Sequence, residues 1–276
     1  MDRSALAFWD ATARHWRLRP PLAPSTDDIA WFERRAKALH RERGRAALTA
    51  LLLGVTPDIA TMRWPAGTSL VVVDWSAEVL RHRWPARGLP QLAAPVRGDW
   101  RELPVAPGSI DLALGDGCYT AFATPSEAAV LNGEVARVLK PGGLFCIRCF
   151  ALPRRASHTQ TLFDDLLAGR FANPALFRWL VVMAVHGTSR HGVALADVWA
   201  AWHARFADPA AALRLLGWDE DSIRQIARYK DRPVRYSFHT FAELQALATE
   251  RFTALESEIP DIEYGECFPR LSMRRR

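Results

Sequence analysis

The run Leu70-Val71-Val72-Val73 stops on a single carboxylate, Asp74. β-Branched residues favour a pleated strand, and an unbroken apolar run implies burial on both faces, as in a parallel sheet. An acid at the carboxyl end of such a strand stands where open α/β sheets bind ligands, and it can accept hydrogen bonds from a ribose diol. Twenty residues earlier a second apolar run, Leu51-Leu52-Leu53, ends on Gly54. That separation between a glycine turn and a ribose-binding acid is the one nucleotide-type sites use. A ligand containing adenosine is therefore expected.

The pattern repeats beyond this pair. Between residues 45 and 150 apolar runs alternate with helical periodicity, the rhythm of a parallel sheet. Strands are expected at about 47–53, 69–73, 94–97, 110–115 and 143–150. Helices are expected at Pro57–Trp64, Ala77–Trp84 and Ser126–Leu139. The last carries the apolar stripe Ala129, Leu131, Val135 and Val138-Leu139, closed by Pro141-Gly142-Gly143. Residues 1–44 read as an N-terminal helical cap, in which Ser25 and Asp28 form a loose capping signal. Residues 151–232 show helical periodicity and no strand, so they read as an inserted helical subdomain of about five short helices. Residues 233–276 return to the sheet, with a Thr240–Glu243 capping box opening a helix to Arg251. Strands follow at Thr253–Ile259 and Phe268–Met273, suited to an antiparallel edge.

Composition narrows the class. The 276 residues are 49% hydrophobic, enough for a full core without disulfides. Four cysteines, Cys118, Cys146, Cys149 and Cys267, are too few for a secreted disulfide framework. The N-terminal stretch lacks the apolar core of a signal peptide, and the apolar segment near Leu176–Val185 is interrupted by Arg178 and too short to span a bilayer. A cytoplasmic protein with no membrane contact is expected. The net charge of +6 is almost wholly arginine, dispersed among acids, so nucleic acid is not the expected partner. Cys146-Ile147-Arg148-Cys149 matches C-x-x-C in spelling only, because strand positions three apart face opposite ways. His186 and His191 flank Gly187 without a third ligand, and no metal is expected.

Four strand ends then fall along one sheet edge: Gly54-Val55-Thr56, Asp74-Trp75, Gly98-Asp99-Trp100 and Gly115-Asp116-Gly117. Asp74 suits a ribose, Asp99 can accept from an adenine amino group, and Trp100 offers an apolar surface beside it. Glycines at 54, 115 and 117 allow close backbone approach.

The order of these motifs, with Val138-Leu139-Lys140-Pro141-Gly142-Gly143 before the fifth strand, resembles the class I S-adenosylmethionine-dependent methyltransferases. The phrase GDWRELPVAPGSIDLALGDG, residues 98–117, is especially similar to that family. The resemblance covers residues 45–150 and, more weakly, 233–276. It implies an α/β, Rossmann-like, seven-stranded, mostly parallel sheet with an antiparallel last strand, here joined by N-terminal helices and a helical insertion after strand five. It implies S-adenosylmethionine as cofactor and S-adenosylhomocysteine as product. Asp74 would take the ribose, Asp99 and Trp100 the adenine, and Gly54 and Asp116 would flank the methionine part. Val55, Thr56, Trp75, Gly98 and Gly117 complete the expected cofactor set. The family's glycine-rich turn is reduced here to Gly54-Val55-Thr56-Pro57-Asp58, where Thr56 can offer a hydroxyl to the cofactor carboxylate.

Methyl transfer needs alignment and exclusion of water, and a base only when the acceptor still holds its proton. Tyr119, just past the fourth strand, is the expected catalytic contact. Arg148, His158, His186, His191, Tyr229 and Tyr236 are the expected substrate-binding residues. A small-molecule acceptor under a lid formed by residues 151–232 is the leading expectation, with the helices around Trp16 to Trp31 closing over the methionine end. Rival readings are an RNA or protein methyltransferase, a non-catalytic binding protein on the same fold, and a nicotinamide-dependent oxidoreductase. The last requires a G-x-G-x-x-G turn before the acid, which the chain lacks.

Overall fold

The computed structural model describes residues 3–15, 18–188 and 190–276. Two helices lead into the sheet, α1 (Arg3–Thr12) and α2 (Thr26–Glu42). Ser25 caps α2 in a full capping box: its Oγ accepts from the Asp28 amide, and Asp28 Oδ2 accepts from the Ser25 amide at 2.8 Å. Then come β1 (Thr49–Leu53), α3 (Pro57–Ala60), β2 (Ser69–Asp74), α4 (Ala77–Arg83), β3 (Leu92–Arg97), β4 (Ile110–Asp116), α5 (Pro125–Val138) and β5 (Leu139–Arg148).

After β5 the chain is helical: α6 (Thr159–Leu167), α7 (Pro174–His186), α8 (Leu195–Arg205), α9 (Pro209–Leu215) and α10 (Glu220–Ala227). Contrary to the sequence reading, this stretch holds a strand, β6 (Val193–Ala194), which pairs antiparallel with β7 (Arg235–Tyr236). Two residues are too short to show a period in sequence; the pairing is made by the tertiary fold. The chain closes with α11 (Phe241–Thr249), β8 (Phe252–Glu258) and β9 (Arg270–Arg275).

Seven strands form one sheet in the order β3-β2-β1-β4-β5-β9-β8. Strands β1 to β5 pair in parallel, and β9 enters antiparallel between β5 and β8. The fold is the expected one. Alternation along each strand separates two apolar layers. On β1, Leu51 and Leu53 face α5 and α11, while Ala50 and Leu52 face α2, α3 and α4. A third apolar cluster lies within α6–α10 and includes Trp202, Phe163, Phe177 and Trp218.

Two boundaries moved for identifiable reasons. Helix α3 stops at Ala60 rather than Trp64, because the Trp64 indole N–H takes the Ala60 carbonyl that its own amide would take in a continuing helix. Strand β5 begins at Leu139, not 143. Gly142 sits at φ +67°, and pairing with β4 shifts register between Ile110 and Leu112, so the Pro-Gly-Gly turn is absorbed as a bulge in the strand.

Candidate functional site

The parallel order reverses between β1 and β4, with the carboxyl ends of both opening on one side. There a partly open cavity of about 210 Å³ lies between strand ends on one side and helices on the other. The floor contains Gly54, Thr56, Asp74, Trp100, Asp116 and Gly117. Phe8, Trp9 and Thr12 of α1 form one wall. The roof contains Arg178, Trp179, Gln225, Arg228, Tyr229 and Tyr236.

Asp74 is the centre of the floor. Its Oδ1 accepts from the Ser76 amide at 2.9 Å, and its Oδ2 accepts from the Val55 amide at 3.3 Å. Burial pushes its carboxyl up to about 6, against the pull of those amides, and the neighbouring Asp10 carboxylate raises it further. Among the described residues no cation engages either Asp74 oxygen, and each keeps acceptor capacity toward the cavity. A diol that donates two hydrogen bonds matches that need.

Gly54 continues the ladder through its amide to Val73 O and turns at φ +81°. A Cβ there would lie 3.1 Å from Trp100 and 3.7 Å from Asp74 Oδ2, filling the approach to both. The Trp100 indole N–H donates to Val73 O at 2.7 Å, which fixes the ring as an apolar wall beside Asp74. Thr56 starts α3 without a side-chain capping bond. Gly117, at φ +65°, lets the chain pass under Phe150, whose ring would lie 2.4 Å from a Cβ. This donor and acceptor set fits a ligand that has a ribose diol and an apolar base, as S-adenosylmethionine has.

Other expected residues are placed elsewhere. Asp99 does not line the cavity; both its oxygens accept from Arg101, at 2.6 to 3.2 Å, and Arg101 bridges on to Glu127. It stabilises the loop after β3. Gly98 is absent from the wall too, being packed against Pro104 and Val73. Asp116 lines the cavity and is paired with Arg148 at 2.7 Å. Burial pushes the Asp116 carboxyl up, and the Arg148 guanidinium opposes that shift.

Arg148 is fully buried and also donates to Pro21 O at 2.6 Å and Leu22 O at 3.0 Å. It is a strut tying β5 to the segment before α2, and it has no face on the acceptor. Tyr119 is likewise turned away: it is buried, its hydroxyl donates to Asn132 Oδ1 at 2.7 Å, and it forms no part of the cavity wall. Burial raises its phenol well above the ordinary value, which disfavours a base role.

The histidines fare no better. His158 and His191 are exposed and outside the cavity. His186 ends α7 in the interior, where Nε2 accepts from the Phe238 amide at 3.2 Å and Nδ1 meets Gly187 O at 3.0 Å. Burial lowers its pKa. Of the expected substrate residues, Tyr229 and Tyr236 do line the roof. Trp16 lies outside the described residues.

Sequence reading missed Trp9, Arg178, Trp179, Gln225 and Arg228. Arg178 left one trace: a charge in an otherwise apolar helix, the very residue that interrupts Leu176–Val185. Among the described residues no group of three or more His, Cys, Asp or Glu is placed to hold a metal, and no helix is long and apolar enough to cross a membrane.

Comparison with known proteins bears on the sheet. Residues 52–147 match the family model of a methyltransferase domain. Over that stretch, which takes in most of β1 through β5, the chain is similar to a methyltransferase domain. No curated protein matches the chain in sequence. Among solved structures, one from Rhodobacter sphaeroides, named as a candidate zinc-dependent alcohol dehydrogenase, is similar with TM-score 0.61 and 14% identity, over 100% of this chain and 99% of that one. A protein of Pyrococcus horikoshii OT3 gives TM-score 0.52 and 15% identity, over 95% and 97%. The CurJ carbon methyltransferase gives TM-score 0.51 and 12% identity, over 92% of this chain and 56% of that one. At such identities these likenesses show the fold alone.

Proposed function

We propose that the protein transfers a methyl group from S-adenosylmethionine to a small-molecule acceptor, with residues 151–232 forming a lid over it. The observation that carries this reading is the lining of the cavity: strand-end residues that suit the cofactor face an aromatic roof drawn from α7, α10 and β7. A concave, largely apolar pocket with a few convergent polar groups suits a small acceptor. The bound cofactor would supply an already activated methyl group on its sulfonium. The chain's own residues would hold and orient: Asp74 the ribose, Gly54, Val55 and Thr56 the methionine end. Trp9, Trp179 and Tyr236 would exclude water from the acceptor side. The described cysteines are all free and buried, which supports a reducing, cytoplasmic setting.

The test is calorimetric titration of S-adenosylmethionine and S-adenosylhomocysteine into wild type and Asp74→Ala. Wild type should bind both, and the variant should lose roughly a hundredfold or more in affinity, as expected for removing a charged acceptor from two ligand hydroxyls. At a hundredfold excess over Kd the wild-type native state should gain about 2.7 kcal/mol. Failure of wild type to bind either ligand sinks the reading.

A further inference from the structure

The roof of the cavity carries a positive charge that the fold does not use. Arg178 is buried on α7, yet its guanidinium makes a single hydrogen bond, from Nη1 to Gln225 Oε1 at 3.3 Å, and lies 6.0 Å from the Tyr229 ring. Arg228, one residue beyond α10, donates to the same Gln225 Oε1 at 3.3 Å and to His15 O at 3.1 Å. Two cations therefore share one neutral oxygen. Among the described residues, neither has a carboxylate within ion-pair distance.

A buried charge without a counterion is costly, and ordinary folds pair it. Nearby acids are already committed, Asp219 to Arg19 and Asp221 to Arg224, each at 3.4 Å. That leaves Arg178 and Arg228 as surplus positive charge beside the cavity. Burial lowers the Arg228 pKa; the Asp221 carboxylate opposes that shift, and the neighbouring Arg178 and Arg224 add to it. Asp58, Asp74 and Asp116 line the floor, where Arg148 pairs with Asp116 and Arg83 adds a guanidinium to the wall, while Arg178 and Arg228 stand in the roof.

Uncommitted donors sit at the same place. Gln225 is 8% exposed, and with Oε1 turned to both arginines its buried Nε2 has no partner among the described residues. Trp179 Nε1 and Thr120 Oγ1 are also buried in the cavity wall without a partner among the described residues. Around them the surface is aromatic: Trp9 stacks on Tyr236 with ring centroids 6.3 Å apart, and Trp179 packs on Tyr236 at 5.7 Å.

We propose that Arg178, Arg228 and Gln225 form an anion subsite that seats a carboxylate or phosphate group of the methyl acceptor, whose aromatic or apolar body lies against Trp9, Trp179 and Tyr236. A planar guanidinium with unused N–H donors is suited to bidentate contact with either group. The neutral amide between the arginines holds them together without cancelling their charge. Seated there, an acceptor would be anchored at the roof and would present its other end to the floor, where the methyl donor is expected. The assignment of the anion to an acceptor rests on the methyltransferase reading.

The probes are benzoate, phenyl phosphate and the neutral isostere benzamide, titrated by calorimetry into full-length protein with and without saturating S-adenosylhomocysteine. Wild type should bind at least one anion roughly tenfold or more tightly than benzamide, and the tighter anion names the group. Arg178→Gln and the half-exposed Arg228→Gln should each erase that preference. S-Adenosylhomocysteine affinity should stay within about twofold of wild type, a small effect on the free-energy scale. Arg228→Gln, with its unfolding midpoint checked, keeps the test valid should Arg178→Gln fail to fold.

Two results overturn the proposal. Equal binding of benzoate, phenyl phosphate and benzamide would make the arginine pair structural. Loss of S-adenosylhomocysteine affinity in both variants would assign the pair to the cofactor's own carboxylate. Should wild type bind no S-adenosylhomocysteine, the methyltransferase reading fails separately, and the anion preference of the protein alone still decides whether the subsite exists.

Discussion

The two sides of the cavity are built by different means. The floor is made by backbone: strand ends that stop together, a glycine at φ +81° and amides that hold Asp74 in place. The roof is made by side chains from α7, α10 and β7, non-contiguous elements brought together by an aromatic cluster. The floor carries acids and the roof carries arginines. The comparison teaches that a cofactor-type site can be fixed by topology alone, whereas an acceptor-type site depends on which side chains the packing leaves uncommitted.

The largest expected effect comes from the strut that joins the floor to the segment before α2. Arg148→Met leaves Asp116 buried without its cation and frees the carbonyls of Pro21 and Leu22. It should cost about 3–5 kcal/mol of stability by denaturant titration. A loss confined to ligand affinity, with stability intact, would mean that Arg148 serves the site directly and would blur the division between floor and frame.

A pH series tests the floor more finely. Asp74 titrates near 6 in the folded protein, above its ordinary value of 3.8. An acid with a raised folded pKa keeps its proton longer in the native state. Stability of the free protein from this group should therefore fall as pH rises from about 4 to 6, then level off. S-Adenosylhomocysteine affinity should move oppositely, weakening by up to about tenfold per pH unit below 6 as the carboxylate is protonated. Asp74→Asn should flatten both profiles. An affinity unchanged between pH 5 and 7 would show that the ribose is held elsewhere.

The smallest effect separates frame from site at Tyr119. Tyr119→Phe removes one buried hydrogen bond to Asn132 and should cost about 1 kcal/mol in stability. Ligand affinity should stay unchanged in calorimetry. A large loss of methyl transfer without loss of stability would restore the tyrosine as a catalytic contact.

Local pattern carried the strand-end side of the molecule. The apolar run before Asp74, the glycine after Leu53 and the stripe on α5 each follow from periods of two or 3.6, which are visible in a linear chain. Composition could not show which acids were already spent. Asp99 looked like a ligand contact by position, yet Arg101, two residues on, takes both of its oxygens. Tyr119 stood at a promising strand end, but the left-handed turn at Gly117 leads into a short helix that buries it beside α5.

While the reversed last strand was implied by the family resemblance, the sequence alone determined the alternating α/β plan of a parallel sheet and placed Asp74 and Gly54 at the ends of two of its strands. Those follow from side-chain period and from the φ values only glycine adopts cheaply. Tertiary structure alone decided that Arg148 is a strut, that His186 is an interior acceptor, and that Arg178 and Arg228 meet over Gln225 beside the cavity. Whether a charged side chain is a pillar or a ligand contact depends on the partners that distant segments bring to it, and no local period records them.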